Sequence, residues 1–91
     1  MDILGTKTFV LEKTLKAQAG KILEEASEAS EALRRYEEDA TVTNLSHARE
    51  ELADVIQTAL NAFVMLGCDK EDIVKEMHAC YLRNKERGRV D

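Results

Sequence analysis

Proline is absent from this chain, and aromatic side chains are scarce: two Phe, two Tyr and no Trp among 91 residues. Proline interrupts helices, and strands favour aromatic and β-branched residues. Much of the chain consists of Ala, Leu, Glu and Lys, which are strong helix formers. The composition therefore indicates an all-α protein, and 91 residues fit one domain over positions 1–91.

Cysteine is also rare, and Cys68 and Cys80 do not form a CxxC pair. Two cysteines are too few for a disulfide scaffold and are typical of reduced thiols in a cytosolic protein. No apolar run approaches the ~20 residues of a membrane span, and Met1–Val10 lacks the apolar core of a signal peptide. We therefore expect a cytoplasmic protein with no membrane partner.

Positively charged residues are fewer than negatively charged ones: the chain has 13 Lys and Arg and 18 Asp and Glu, for a net charge of −5. Nucleic-acid binders usually carry a net basic face, so this balance argues against a nucleic-acid partner. An acidic protein that binds a phosphate ligand needs cations between the two, which is a first indication of a metal.

Three helical stretches are predicted, at about 6–38, 44–66 and 70–87, from the spacing of apolar residues. The breaks are Asp39–Asn44, where Thr43, Asn44 or Ser46 is expected to cap the second stretch, and Gly67–Lys70, where Asp69 is expected to cap the third. Gly20 lies inside the first stretch and is unfavourable in a helix, so we expect a bend near Ala19–Gly20. With that bend the fold becomes a four-helix bundle.

Apolar side chains recur every three or four residues along each stretch, which predicts helix faces that pack in a core. The three stripes are Ile22, Ala26, Ala29, Leu33 and Tyr36; Leu45, Leu52, Val55, Ala59, Ala62, Phe63 and Leu66; and Ile73, Met77, Cys80, Tyr81 and Asn84. So short a chain buries only a modest core alone, which favours a homo-oligomer.

Carboxylates flank two of these stripes. On the first helix, Glu24, Glu25 and Glu28 are neighbours at spacings of three and four, with Lys21 beside them. On the second, one line at the edge of the core stripe contains His47, Glu51, Asp54, Thr58, Asn61 and Met65. If the helices pack antiparallel, both acidic groups face one crevice, where they require protonation or a cation. Magnesium, which prefers oxygen ligands, is the metal that this pattern favours.

Other site types lack their signatures. A di-iron bundle needs Glu-x-x-His, but Asn44 and Lys75 stand three residues before the two histidines. The Cys and His residues are too scattered for zinc, and neither a calcium loop nor a GxxxxGK[ST] phosphate loop occurs. A nucleotide would have to be held through metal and basic side chains.

The two acidic groups read Glu24-Glu25-Ala-Ser-Glu28 and Glu51-Leu-Ala-Asp54, and Asn84-Lys85-Glu86-Arg87-Gly88 follows near the C-terminus. In these motifs, over about residues 18–88, the sequence resembles the MazG-like members of the all-α nucleoside triphosphate pyrophosphohydrolase superfamily. The resemblance implies Mg²⁺-dependent hydrolysis of ribo- or deoxynucleoside triphosphates to the monophosphate and pyrophosphate. It also implies a homodimer or homotetramer, and Mn²⁺ is a possible substitute for Mg²⁺.

The resemblance further implies individual roles. Glu25, Glu28, Glu51 and Asp54 would be metal ligands, and Glu24 or Glu25 would orient or deprotonate the attacking water. Substrate-binding candidates are Lys21, Asn61, Asn84, Lys85 and Arg87, the three basic ones for phosphate oxygens. The sequence departs from some relatives at Cys80, where they carry a basic residue. Phe9 is the candidate for an aromatic residue that stacks on the base, although a core position is the simpler interpretation.

Three alternatives remain open. A phosphoribosyl-ATP pyrophosphohydrolase has similar acidic motifs, but Thr58–Leu60 lacks the histidine expected for it. The all-α dUTPases are usually longer. A non-enzymatic helical interaction module would use the same stripes and leave the carboxylates as a solvated face; millimolar Mg²⁺ should not stabilise such a module.

Overall fold

The computed structural model describes residues 2–90, which form a small β-hairpin followed by three α-helices. The strands are β1 (Asp2–Ile3) and β2 (Thr6–Lys7), and the helices are α1 (Leu15–Glu38), α2 (Val42–Met65) and α3 (Lys70–Glu86). The prediction of an all-α fold is confirmed in its class. The prediction of four helices is wrong, because the described residues contain three.

α1 begins later than its sequence pattern predicts and then continues without interruption. Thr14 caps it by accepting a hydrogen bond from the Ala17 backbone N–H at 3.1 Å. Helical structure runs without a break through Gly20, so the predicted division into two helices does not occur. A Cβ at Gly20 would meet no atom within 4 Å. Gly20 therefore weakens the helix only through backbone entropy, which favourable neighbours outweigh.

The segment before α1 is extended, not helical. In the hairpin, Asp2 pairs with Lys7 and Ile3 with Thr6. Its two-residue turn, Leu4–Gly5, has positive φ at both positions, as a type I′ turn requires. The short pattern at the start of the first predicted stretch could not distinguish this hairpin from a helix.

The connections between helices are short. Thr41 caps α2 through Asn44 N–H at 3.1 Å, so the predicted caps at Thr43, Asn44 and Ser46 are wrong by a few residues. The predicted cap of α3 is confirmed: Asp69 and Asp72 form a reciprocal capping box. Gly67, just after α2, has φ of +82°, the left-handed conformation that glycine adopts most easily.

α1 and α2 pack antiparallel, which is the condition for both acidic groups to face one crevice. Gln18, near the start of α1, donates a hydrogen bond to the backbone oxygen of Thr58, near the end of α2. Farther along α1, Glu28 lies beside Glu51, which comes earlier in α2. α3 makes only sparse contacts with the other two helices.

The buried faces differ from the predicted apolar stripes. The buried apolar residues are Ala29, Ala32, Ala48, Leu60 and Ile73. Of the predicted stripe residues, Leu33, Leu52, Leu66 and Met77 are exposed in the single chain, and within residues 2–90 no large side chain is completely buried. The stripes are displaced because only α1 and α2 pack closely, and they meet through alanines and polar side chains.

Membrane insertion finds no support in the helices: over residues 2–90, none is both long and apolar enough to cross a bilayer.

Candidate metal centre

Glu25 is the most buried carboxylate of the α1–α2 interface, at 8% exposure. It is fixed near the middle of α1, on the same face as Gln18 and Ala29. One of its oxygens, Oε1, lies 3.1 Å from Lys21 Nζ, one helical turn earlier. The other, Oε2, is completely buried and has no hydrogen-bond partner among the described residues. A buried carboxylate oxygen without a partner is costly, so this atom calls for a ligand.

Glu51 approaches the same place from α2. Its side chain is 15% exposed, and its Oε2 is likewise buried and unpartnered. His47 Nε2 lies 3.9 Å from Glu51 Oε1, at the outer limit of an ion pair. Glu25 and Glu51, which belong to one cluster of carboxylates from two helices, therefore each have one buried oxygen without a partner.

Glu28 completes the cluster from the solvent side. It is exposed, and carboxylate oxygens of Glu25, Glu28 and Glu51 all lie within 4.8 Å of one another. Desolvation raises the pKa of Glu28, and repulsion from Glu25 and Glu51 raises it further. The charges of Glu25 and Glu51 thus disfavour the ionised form of Glu28, an effect that a bound cation would reverse.

Lys21 is the nearest protein cation, but it does not neutralise the cluster. Its pKa is raised, first by the hydrogen bond to Glu25 and then by the charge of Glu24, which lies 3.8 Å away. One ammonium group shared between Glu24 and Glu25 leaves Glu28 without an ion-pair partner among the described residues, and Glu51 has only His47, which is charged only when protonated.

The donor set fits a hard divalent cation. Opposite ligands of an octahedral Mg²⁺ ion stand about 4.2 Å apart, twice its metal–oxygen distance. The oxygens of Glu25, Glu28 and Glu51 lie within 4.8 Å of one another, so their spacing is of the order that a single ion requires. All three donors are carboxylates, which suit Mg²⁺ or Mn²⁺ better than softer metals.

A cavity of about 220 Å³ adjoins the cluster on the side of the N-terminal segment. Glu25 and Lys21 form the wall that it shares with the cluster. The remaining wall residues come from three parts of the chain and are Phe9, Leu11, Glu12, Gln18, Asp54, Gln57, Thr58 and Asn61. A second cavity, of about 300 Å³, lies on the other side against Glu28, Glu51 and His47. The carboxylates thus stand between two spaces that a ligand can enter.

Carboxamides hold the N-terminal segment over the first cavity. Gln57 accepts a hydrogen bond from the Thr6 hydroxyl and donates to the backbone oxygen of Lys7 at 3.2 Å. Asn61 Oδ1 accepts from the Phe9 backbone N–H at 3.0 Å and from Gln57 Nε2 at 3.0 Å. This network fixes the position of the segment relative to α2.

Of the predicted metal ligands, Glu25, Glu28 and Glu51 are brought together, and Asp54 lies outside that cluster. Asp54 is exposed and borders the first cavity one helical turn beyond Glu51. Glu24 is also exposed and points toward Lys21 and not into the cluster. The cluster in the crevice therefore contains fewer carboxylates than the two sequence motifs suggest.

The predicted substrate-binding residues divide into two groups. Lys21 and Asn61 border the first cavity, whereas Asn84, Lys85 and Arg87 lie at the C-terminal end of α3 and line neither cavity. The Asn84 amide donates to the Cys80 carbonyl at 3.0 Å, and its oxygen accepts from Arg89 at 3.0 Å. Within a single chain, Asn84 is engaged in local contacts of its own helix.

Sequence analysis missed Gln18 and Gln57 as site residues. Gln18 is buried at 4% exposure and stands seven residues before Glu25 on the same helix face. Gln57 pairs with Asn61 at the four-residue spacing of helix neighbours. A search for amides in line with the predicted carboxylates would have found both.

Comparisons of this chain with protein-family models, with curated proteins and with solved structures give no match. The resemblance to MazG-like enzymes therefore stays a hypothesis carried by the motifs, and function has to be argued from the site.

Proposed function

We propose that this protein is a magnesium-dependent nucleoside triphosphate pyrophosphohydrolase that releases the nucleoside monophosphate and pyrophosphate. The observation that carries the proposal is the pair of buried, unpartnered carboxylate oxygens, Glu25 Oε2 and Glu51 Oε2, beside Glu28. Such atoms are explained by a cation, and a cation is what an acidic protein needs to bind a polyphosphate.

The acidic residues around the site have different roles in the proposal. Glu25, Glu28 and Glu51 hold the ion, and Asp54 extends the acidic surface along the first cavity. Glu24 or Glu25 orients the attacking water and accepts its proton. Magnesium bound there would lower the pKa of that water and neutralise charge on the leaving pyrophosphate. The new bond joins the water oxygen to the α-phosphorus, and the bond from that phosphorus to the pyrophosphate oxygen breaks.

Lys21 positions a phosphate oxygen at the same wall of the cavity. Its ammonium group lies between Glu24 and Glu25, on the border of the space beside the metal cluster. Further candidates for substrate contact are Asn84, Lys85 and Arg87. They can reach a triphosphate only if assembly of the chains brings the end of α3 near a metal cluster.

The proposal includes assembly of two or four identical chains in the cytoplasm. Exposed apolar side chains support it, among them Val42 at 86%, Leu23 at 70% and Leu66 at 64%. An apolar groove of about 540 Å³, between the hairpin, α2 and α3, adds Leu4, Ile56, Val74 and Met77. Monomeric proteins rarely leave apolar surface in contiguous patches, and a second copy of this chain is the partner always present at equal concentration.

The test is pyrophosphate release from ribo- and deoxynucleoside triphosphates and from phosphoribosyl-ATP, with Mg²⁺ or with EDTA. We expect release only with Mg²⁺, a monophosphate as the second product, and loss of activity in Glu25→Gln. Glu37→Gln, an exposed residue near the end of the same helix, is the matched control and should retain activity. Hydrolysis of phosphoribosyl-ATP alone would assign the protein to that narrower reaction.

The exposed apolar surface also favours a second candidate, a non-enzymatic helical interaction module. In that case no substrate of the panel is cut, and millimolar Mg²⁺ leaves the melting temperature unchanged.

A further inference from the structure

The cavity beside the metal cluster has a wall of buried amides. Gln18 is 4% exposed and Asn61 is 7% exposed, and both border the 220 Å³ space that also touches Glu25. Buried amides are normally satisfied at both ends, so an amide atom that faces a cavity without a partner points to a ligand.

The hydrogen bonds of Asn61 leave its amide nitrogen free. Its Oδ1 accepts from the Phe9 backbone N–H and from Gln57 Nε2. A backbone N–H can only donate, so the atom facing it must be the oxygen, and this settles which way the amide is turned. Nδ2, the other end of the group, has no hydrogen-bond partner among residues 2–90, although it is not sealed from solvent.

Gln18 shows the opposite arrangement. Its Nε2 donates to the backbone carbonyl of Thr58 at 3.0 Å, and a carbonyl can only accept. Oε1 is therefore the end left without a partner among the described residues. Two residues that line the cavity thus each have one amide end without a protein partner: a donor on Asn61, from α2, and an acceptor on Gln18, from α1.

Apart from Lys21, which borders both the metal cluster and the cavity, this wall does not suit a phosphate group. Glu12, Glu25 and Asp54 all border the cavity, and Lys21, its only cation, is already paired with Glu25. An uncharged ring that carries both a donor and an acceptor could use both free amide atoms, and nucleobases are rings of this kind. Ligand pockets for whole small molecules usually exceed about 300 Å³, so this space suits the base rather than the complete nucleotide.

We infer that this cavity binds the nucleobase of the substrate, with Asn61 Nδ2 donating to the base and Gln18 Oε1 accepting from it. The inference rests on the proposed function for the identity of the ligand. It makes these two amides the residues that determine specificity, because a base whose edge leaves them unpaired is disfavoured. The metal cluster then holds the phosphates and the amide wall holds the base.

The experiment uses nucleoside 5′-monophosphates of the four common bases as probes, in EDTA, so that neither metal nor hydrolysis is needed. Binding is followed by the NMR signals of the side-chain amides in the full-length protein. We expect at least one monophosphate to shift the Asn61 and Gln18 amide signals and to leave the Asn44 amide, which is bonded to Asp39 far from the cavity, unchanged.

Asn61→Asp removes the donor and keeps the acceptor that Phe9 and Gln57 require. The order of affinities among the four monophosphates should change, with the ratio of best to next-best base altered by at least about fivefold, the effect of one hydrogen bond. All probes carry the same phosphate, so repulsion by the new carboxylate cancels in that ratio. Asn44→Asp, with the same change of charge, should preserve the order.

The inference is overturned if no monophosphate shifts either amide at millimolar concentration, or if Asn61→Asp binds with the same order of bases. The wild-type amide shifts decide the matter even if the variant does not fold. Base binding without Mg²⁺-dependent hydrolysis would support the pocket and refute the proposed enzyme. Mg²⁺-dependent hydrolysis with an unchanged base preference in Asn61→Asp would support the proposed enzyme and refute the assignment of this cavity to the base.

Discussion

The interface between α1 and α2 and the outer surface of the same helices are built from opposite kinds of residue. Inside, Gln18, Glu25, Thr58 and Asn61 are buried, and the apolar contacts come from alanines. Outside, leucines and valines are exposed. Burying polar groups lowers stability unless they are paired, so the interior is suited to a ligand and the exterior to assembly. The following experiments test this contrast, from the largest expected effect to the smallest.

Glu51→Gln tests whether Glu51, at the interface between α1 and α2, acts in catalysis or stabilises the fold. Pyrophosphate release should fall by at least about a hundredfold, because loss of a direct ligand exceeds the loss seen for outer-shell partners. The melting temperature in EDTA should stay equal or rise, because one of the carboxylates that repel Glu28 is gone. Steady-state kinetics and thermal melts with and without Mg²⁺ measure both. Glu50→Gln, an exposed neighbour, should match wild type, and a large loss of metal-free stability in Glu51→Gln would mean that Glu51 has a structural role.

Val74→Glu tests whether the exposed apolar surface serves for assembly of the chains. Val74 is 59% exposed in the apolar groove, so a charge there should spare the fold and weaken association. We expect the dissociation constant of the oligomer to rise by about 30-fold, as for an interface hot spot. Analytical ultracentrifugation measures it, with Thr43→Glu as the control that adds the same charge to an exposed polar position. A wild-type chain that is monomeric at all concentrations would remove the assembly half of the comparison.

Gly20→Ala tests whether α1 is one continuous helix. No atom lies within 4 Å of the new methyl group, so the variant gains helix propensity without a clash. The free energy of unfolding should increase by about 1 kcal/mol. Urea denaturation followed by circular dichroism measures the change. A destabilised variant would indicate that the helix bends at this glycine, as its sequence first suggested.

The pKa of Glu28 provides the finest test. Desolvation and the neighbouring carboxylates raise it above the ordinary glutamate value, so the folded metal-free protein binds this proton more tightly than the unfolded chain. Stability from this group is therefore lost as the pH rises through the folded-state pKa. Magnesium should lower the pKa and reverse the trend, since it requires the ionised form. Carboxyl NMR titration with and without Mg²⁺ reads both values, and a Glu28 that titrates normally in both would contradict the cluster.

Local rules gave reliable predictions where a few adjacent residues decide the structure. Gly67 and Asp69 mark the end of α2 and the start of α3 because a left-handed glycine and a reciprocal cap need only neighbours. The proximity of Glu25, Glu28 and Glu51 was also predictable, since it follows from helix spacing and antiparallel packing. Asp54 shares the spacing but lies outside the cluster, exposed at the border of the first cavity.

Contacts between residues that are far apart in the chain could not be predicted from local rules. The position of the hairpin depends on Gln57 and Asn61, which hydrogen-bond Lys7 and Phe9 across 50 and 52 residues of the chain. The apolar stripes identified helix faces correctly as amphipathic, but the periodicity does not say which partner covers them. Polar residues such as Gln18 occupy the interface instead, because the two helices approach through small side chains.

The central claim, a divalent cation held by Glu25, Glu28 and Glu51, is tested most directly by substituting Mn²⁺ and measuring paramagnetic broadening in a ¹H–¹⁵N NMR spectrum. The account predicts selective broadening of amides around these three residues on α1 and α2, reversed by excess Mg²⁺ and absent in Glu25→Gln. Broadening spread over exposed carboxylates such as Glu37 and Glu38, or unchanged in Glu25→Gln, would contradict it.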